Sequence, residues 1–363
     1  MPTTTAPRIL LAGGGSAGHV SPLLATAAQI TRRSPEAEVL VLGTQEGLEA
    51  DLVPAAGYEL VTIEKVPFPR RPNGAALRFP GRFGGSLRQV RNLLKERQID
   101  VVAGFGGYVC PPAYLAAASL RRPLVVHEAN RRPGLANRLG ARRAAAVLTA
   151  FDGSSLPGAR RIGMPMREEI VHLDRAGHRD EAVRGFGLDP ARPVLLATGG
   201  SLGALRLNAA VAEAAGSFLE AGVQILHVTG RGKSEGLPER DGYRVVEYVS
   251  AMEDAYAAAD LALTRSGAGT VCELTAVGLP AVLVPLPIGN GEQALNGQEV
   301  VAAGGALMVA DADLDAAHLR SQVLPLLRDR SRLTAMADAA RAFGITDAAE
   351  VMADVVTGVA RRA

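Results

Sequence analysis

The sequence predicts an α/β protein of two Rossmann-like domains, each a parallel sheet flanked by helices, facing one another across a cleft. Three observations carry this. Short β-branched or leucine-rich runs alternate with longer alanine-rich amphipathic stretches, the pattern of βαβ units. The first strand of each half runs into a glycine-rich loop and then a helix. The two copies, Gly13-Gly-Gly-Ser-Ala-Gly18 and Gly199-Gly-Ser-Leu-Gly203, lie about 190 residues apart. Finally, 363 residues suit two domains at about 150 residues each.

In the first half the predicted strands are 9–12, 39–43, 60–64, 101–104, 124–127 and 146–149. In the second they are 194–198, 224–229, 244–248, 261–264, 281–285 and 306–309. Continuous apolar runs such as Val194-Leu-Leu-Ala suit strands covered on both faces. The boundary is expected near Gly163-Met-Pro-Met-Arg167. This gives a first Rossmann-like domain over 1–163, completed by a C-terminal helix over 345–363, and a second over 164–344. Hydrophobic residues make up 48% of the chain, but aromatics only 4% and Trp none, so both cores must be aliphatic.

Composition excludes several classes. A net charge of +2 is too small to imply a nucleic-acid partner. Cys110 and Cys272 form no CxxC, so neither a disulfide framework nor a zinc site is expected, and a reducing compartment fits. Residues 1–7 carry no secretory pattern, and no apolar run reaches the ~18 residues of a spanning helix. Charge is uneven, however. Between residues 65 and 97 nine basic residues face one acid, Glu96.

The first loop matches G-x-G-x-x-G through Gly13, Gly15 and Gly18, which alone is a weak dinucleotide signal. The acid such a site wants at the end of the second strand is represented only by Glu46, which sits late. His19 follows the last glycine. It is either a packing histidine or a base beside an anion pocket at a helix N-terminus. A second glycine-rich strand end, Gly104-Phe-Gly106-Gly107-Tyr108, adds a second cluster of backbone N–H groups. Two phosphate cradles in one domain, with a third in the other, suggest that two phosphorylated substrates meet.

In the second half, Thr264-Arg-Ser-Gly-Ala268-Gly269-Thr270-Val271-Cys272-Glu273 joins a strand to a helix. Glu273 lies where it could accept both hydroxyls of a ribose, or merely complement the helix dipole. Gly230-Arg-Gly-Lys-Ser lacks the first glycine of a P-loop, since position 227 is His227. Asp311-Ala-Asp313 has D-x-D spacing but opens a predicted helix over 314–326, so capping is the better reading. No metal site is expected.

Together these segments resemble the MurG family, the enzymes that add N-acetylglucosamine to lipid I. The matching stretches are GGGSAGHVSPLLA (13–25), GFGGYV (104–109), HEAN (127–130), GMPMR (163–167), GGSLGA (199–204), 248–287 and EQALN (292–296). They run in the family's order across about residues 8–310. The resemblance implies a GT-B fold, with the acceptor on the N-terminal, membrane-associating domain and the UDP-sugar on the C-terminal one. It further implies inverting transfer from UDP-N-acetylglucosamine, without a required cofactor, to the muramic acid 4-hydroxyl of lipid I. It puts the donor on Ser16, Ala17, Gly18, Asn130, Arg167, Ser201, Val249, Ala268 to Glu273 and Gln293. The chain departs from the family's usual HEQN, GGSQGA and Gln-Gln at Ala129, Leu202 and Glu292.

Mechanistically, His19 is the candidate base. Gly15, Gly106, Gly107 and Tyr108 are the candidate contacts for the acceptor and its diphosphate. Helix N-termini and Arg167 can meet the charge on departing UDP. With a lipid-linked acceptor the basic stretch becomes intelligible. Phe68, Arg70, Arg71, Phe79, Arg82, Phe83 and Arg88 interleave apolar and cationic groups, as a surface docking on anionic lipid would. That places the protein peripherally, on the cytoplasmic face of the cell membrane. The competing readings are a GT-B transferase for a soluble acceptor, a UDP-N-acetylglucosamine 2-epimerase, and an inactive scaffold.

Overall fold

The computed structural model describes residues 6–69, 74–200, 203–237, 240–288 and 290–362. The chain divides into two compact units, residues 1–167 with 346–363, and residues 168–345.

Unit 1 contains, in chain order, β1 (Arg8–Gly13), α1 (Ala17–Arg33), β2 (Glu38–Gly43), α2 (Glu49–Ala55), β3 (Glu59–Thr62) and α3 (Gly74–Glu96). These are followed by β4 (Val101–Gly106), α4 (Cys110–Ser119), β5 (Leu124–Glu128), α5 (Leu135–Ala141), β6 (Ala146–Thr149) and β7 (Ala159–Arg161). The sheet order is β3-β2-β1-β4-β5-β6-β7, and every pairing is parallel.

Side-chain alternation along β1 explains the layering. Ile9 and Leu11 point to one face, where Leu23, Ala27 and Ile30 of α1 close over them. Leu10 and Ala12 point to the other, against Val90 and Leu94 of α3 and Ala113 and Tyr114 of α4. Both faces are dry, so the strand reads as an unbroken apolar run.

Unit 2 contains α6 (Glu168–Val171), α7 (Arg175–Gly185), β8 (Val194–Thr198), α8 (Leu205–Glu220), β9 (Gln224–Val228), β10 (Tyr243–Val246) and α9 (Met252–Ala258). Then come β11 (Leu261–Thr264), α10 (Ala268–Ala276), β12 (Ala281–Leu283), α11 (Glu292–Ala302), β13 (Ala306–Met308), α12 (Ala316–His318), α13 (Leu324–Arg328) and α14 (Arg330–Phe343). Its parallel sheet runs β10-β9-β8-β11-β12-β13. α7 is anchored by Arg175, which donates to the carbonyls of Tyr256, Ala259 and Gly278.

The chain returns to unit 1 through α15 (Ala348–Ala360). Met352, Ala353 and Val356 join the α1 side of that core. Arg33 also pairs with Glu350 and Asp354 at 2.9 and 3.0 Å. Half-exposed pairs contribute little, so the apolar face is what fixes the helix.

Two expectations are corrected. β7 was not anticipated: Ala-Arg-Arg at a sheet edge has no apolar run to signal it. The helix expected over 314–326 is interrupted. Asp315, whose carboxylate accepts the His318 N–H at 2.7 Å, caps α12. A π-helical turn over Leu319–Val323 separates α12 from α13. Asp311 and Asp313 instead form a 3₁₀ turn, and Asp311 lies 2.5 Å from Arg265. Capping is therefore the work of Asp315, not of the D-x-D pair.

Candidate active site

In open parallel sheets, ligands bind beyond the carboxyl ends of the strands where strand order reverses. In unit 1 that point lies between β1 and β4. The two loops there are the glycine-rich segments after Ala12 and after Phe105. The β1–β4 register shifts between Ala12 and Gly13, and the loops meet closely. Gly106 and Gly107 have φ of +107° and +93°. A side chain on Gly107 would strike the Gly14 carbonyl, so glycine is required there both for conformation and for space.

Ser16 is the N-cap residue of α1, in extended conformation. The first backbone bonds of the helix run from His19 and Val20 to the Ser16 carbonyl. Ala17 and Gly18 precede them, so their N–H groups belong to the end that receives anions. Gly15 differs. Its N–H donates to Glu49 Oε2 at 2.8 Å, which removes it from the anion contacts expected of it. Its value lies in its φ of +87°.

His19 is half-buried on the first turn of α1. Its Nδ1 lies 3.1 Å from the Gly14 carbonyl and 3.3 Å from Ser16 Oγ. A carbonyl only accepts, so Nδ1 carries a proton, and in the neutral ring Nε2 then keeps the lone pair. A Cβ on Gly106 would stand 2.8 Å from Nε2. Glycine at 106 thus leaves the basic edge of the ring uncovered. This is the orientation a general base needs.

The segment after β5 is held by Glu128. One carboxylate oxygen accepts the Asn130 N–H at 2.9 Å; the other accepts Gly134 N–H and Asn137 Nδ2, each at 3.0 Å. Asn130 is thereby placed, half-buried, beyond the strand end. His127 next to it is fully buried and donates through Nε2 to the Gly163 carbonyl at 3.0 Å. Burial pushes its pKa down to about 4, so it ties β5 to the 163–167 segment as a neutral ring. Cys110 is also inert: burial raises its thiol to about 11. Tyr108 is exposed, with the Lys65 ammonium 5.9 Å from its ring centroid.

In unit 2 strand order reverses between β8 and β11. After β8, Gly203 (φ +67°) packs so tightly that a side chain would overlap the Thr229 carbonyl. Ser201 and Leu202 lie outside the described residues. After β11, Gly267 is the N-cap of α10, and the first helical bond is Val271 N–H to Gly267 at 3.0 Å. Ala268, Gly269 and Thr270 precede that bond. Ala268, Val271 and Cys272 are buried in the core, so of the expected 268–273 run these three pack the helix rather than present side chains. Glu273 is half-buried and accepts the Tyr256 hydroxyl on Oε2 at 2.7 Å, which orients its carboxylate.

Gln293 accepts the Leu286 N–H at 2.9 Å. Its carbonyl is therefore spent on the loop after β12, and its amide NH₂ is the end left to recognise a ligand. Val249 is half-buried beyond β10, and Arg167 is exposed at the end of unit 1. Among the described residues no group of three or more His, Cys, Asp and Glu is placed to hold a metal ion.

Sequence reasoning missed Glu49. Burial is the largest influence on its carboxyl and opposes ionisation. The hydrogen bonds from Gly15 and Thr44 outweigh it and hold the pKa below the ordinary carboxylate value. Glycines at 43 and 47, both just before the residue, were the available signal.

The basic stretch lies on α3 and the segment before it; Arg70 and Arg71 are outside the described residues. Phe79 packs edge-on to Phe68 at 5.3 Å and stacks on Phe83 at 5.4 Å. Phe68 and Leu77 are 67% and 86% exposed. Arg88 is exposed, whereas Arg82 is paired with Glu64 at 2.7 Å. Among the described residues no helix is long and apolar enough to cross a membrane.

Comparison with known proteins shows the family. Residues 9–149 match the glycosyltransferase family 28 N-terminal domain, and residues 194–352 match its C-terminal domain. A protein of Paenarthrobacter aurescens is 57% identical over 353 residues, spanning 96% of this chain and 95% of its own length. One of Clavibacter michiganensis is 55% identical over 348 residues, with the same coverage of both chains. Both are named UDP-N-acetylglucosamine–N-acetylmuramyl-(pentapeptide) pyrophosphoryl-undecaprenol N-acetylglucosamine transferase. The crystal structure of Acinetobacter baumannii MurG superposes with a TM-score of 0.79 at 28% identity, covering 97% of this chain and 99% of that one. The chain belongs to the MurG family, within glycosyltransferase family 28.

Proposed function

We propose that the protein transfers N-acetylglucosamine, with inversion, from UDP-N-acetylglucosamine to the muramic acid 4-hydroxyl of lipid I, making lipid II for peptidoglycan. The reaction takes place on the cytoplasmic face of the cell membrane, where the protein is peripheral. The observation that carries the reading is the shared name of relatives more than half identical over nearly the whole chain. It favours this activity over a soluble-acceptor transferase or a 2-epimerase.

The residues divide the work by chemistry. His19 Nε2 takes the proton of the attacking hydroxyl. Gly106, Gly107 and Tyr108 form the acceptor side. Negative charge developing on UDP is met by the N-termini of α1 and α10 and by Arg167, fixed dipoles and a cation that need no reorganisation. Asn130, Val249 and Gln293 position the donor, with Ser201 in the same role by resemblance. No resident metal is needed in this scheme.

The test is purified protein with UDP-N-acetylglucosamine and a lipid I analogue, following UDP release with and without EDTA. Turnover is expected in both arms. Turnover only on a soluble aglycone would sink the acceptor assignment, and loss in EDTA restored by metal would sink the metal-independent scheme.

Glu273 is assigned to the ribose. Glu273→Ala is expected to raise KM for UDP-N-acetylglucosamine roughly 10–100-fold, the value of a hydrogen bond to a charged group, with kcat little changed. A ribose contact is made in ground and transition state alike. A steep fall in kcat with UDP affinity intact would remove Glu273 from that role.

A further inference from the structure

Glu49 opens α2 and is completely buried. Three glycines make room for it: a side chain on Gly14 or Gly47 would overlap the carboxylate, and one on Gly43 the methylene that carries it. Both its oxygens are engaged. Oε1 accepts the N–H and the hydroxyl of Thr44 at 2.9 and 2.8 Å. Oε2 accepts the Gly15 N–H at 2.8 Å. That nitrogen belongs to the same amide as the Gly14 carbonyl, and this carbonyl is the partner of His19 Nδ1 at 3.1 Å. Carboxylate, amide and imidazole therefore form one hydrogen-bonded line.

We propose that Glu49 is a positioning residue for His19, acting through the Gly14–Gly15 amide to hold the ring in its Nδ1–H tautomer with Nε2 as proton acceptor. The inference rests on the reading of His19 as the base. The physical argument has two parts. A carboxylate accepting an amide N–H fixes the plane of that amide, and so the direction in which its carbonyl faces the ring. It also draws electron density onto the carbonyl oxygen, because linked hydrogen bonds strengthen one another by about 10–30%.

In serine hydrolases an aspartate does this to histidine directly; here one peptide unit intervenes. Packing alone does not account for an anion at this position. An apolar side chain would fill the same space without the cost of desolvating a charge. It would leave the Gly15 N–H without an acceptor and the amide free to turn.

The test substitutes Glu49→Gln. The Gly15 and Thr44 N–H groups lie on opposite oxygens of the carboxylate, so a carboxamide, with an NH₂ in place of one of them, loses one side. The expected result is a kcat lowered roughly 10–100-fold, as for other partners that orient a catalytic ligand from behind. KM for UDP-N-acetylglucosamine should change far less than kcat, since the ribose contact of Glu273 and the amide of Gln293 belong to the other unit. Nitrogen-15 spectra of histidine-labelled protein at alkaline pH should show His19 protonated at Nδ1 in wild type and as a tautomer mixture in the variant. Glu49→Asp keeps the charge but withdraws it from Gly15, and should act in the same direction if the Gln variant does not fold.

An Nε2–H ring in wild type overturns the proposal, as does an unchanged tautomer and kcat in the variants. A variant that only melts at lower temperature shows a space-filling role and overturns it too. The spectra need no substrate. An Nδ1–H ring released by Glu49→Gln, beside a His19→Ala enzyme of normal rate, would uphold the coupling while removing the base assignment.

Discussion

Replacing His19 with Ala is expected to lower kcat about 10²–10⁴-fold, the contribution of a positioned general base, while KM for UDP-N-acetylglucosamine stays near wild type. The geometry behind the expectation is specific. Nδ1 is committed to the Gly14 carbonyl, so only Nε2 can receive a proton, and Gly106 leaves that edge uncovered. An acceptor hydroxyl losing its proton as it attacks gains from such a group only in the transition state, which is why the loss should fall on kcat. Steady-state rates at saturating donor and acceptor check it. A rate near wild type would return His19 to packing against the second glycine loop.

The central strands were legible because each is covered on both faces. Val194-Leu-Leu-Ala and Ile9-Leu-Leu-Ala read as apolar runs whatever packs on them, and the glycine loops at 13–18 and 199–203 end the first strand of each unit. Edges are harder to read: β7 pairs through its backbone alone and is composed of Ala-Arg-Arg. The helix after Asp313 was misplaced because three aspartates in five residues all have capping chemistry. Only the backbone decides that Asp315 uses it, while Asp311 faces Arg265. The candidate site was partly legible for a similar reason. His19 and the loops announce themselves locally, since a helix start after glycines is a backbone donor site in any fold. Glu49 does not, because its function depends on the first loop coming over it from 34 residues away. The same approach redirects the Gly15 N–H inward, which no local reading could foresee.

Replacing Arg70, Arg71, Arg78 and Arg88 together with Glu is expected to abolish binding to anionic vesicles, while turnover of a short-chain, water-soluble acceptor is spared. Each cation near an anionic surface contributes about 1 kcal/mol, so losing four costs on the order of 10³-fold in partitioning before the added acids repel. Arg82 is left in place for a structural reason: Glu64 already meets its charge at 2.7 Å. The Phe68–Phe79–Phe83 cluster and exposed Leu77 supply an apolar component that salt does not screen, whereas the charged component is screened over about 10 Å at 0.1 M. Co-sedimentation at low and high salt separates the two. Wild-type binding should fall with salt to a residual level, and Phe68→Ser with Leu77→Ser should remove that residue. Equal sedimentation of wild type and the fourfold variant at low salt would make this an ordinary solvated helix face, and the lipid-linked acceptor would have to be met elsewhere on the protein.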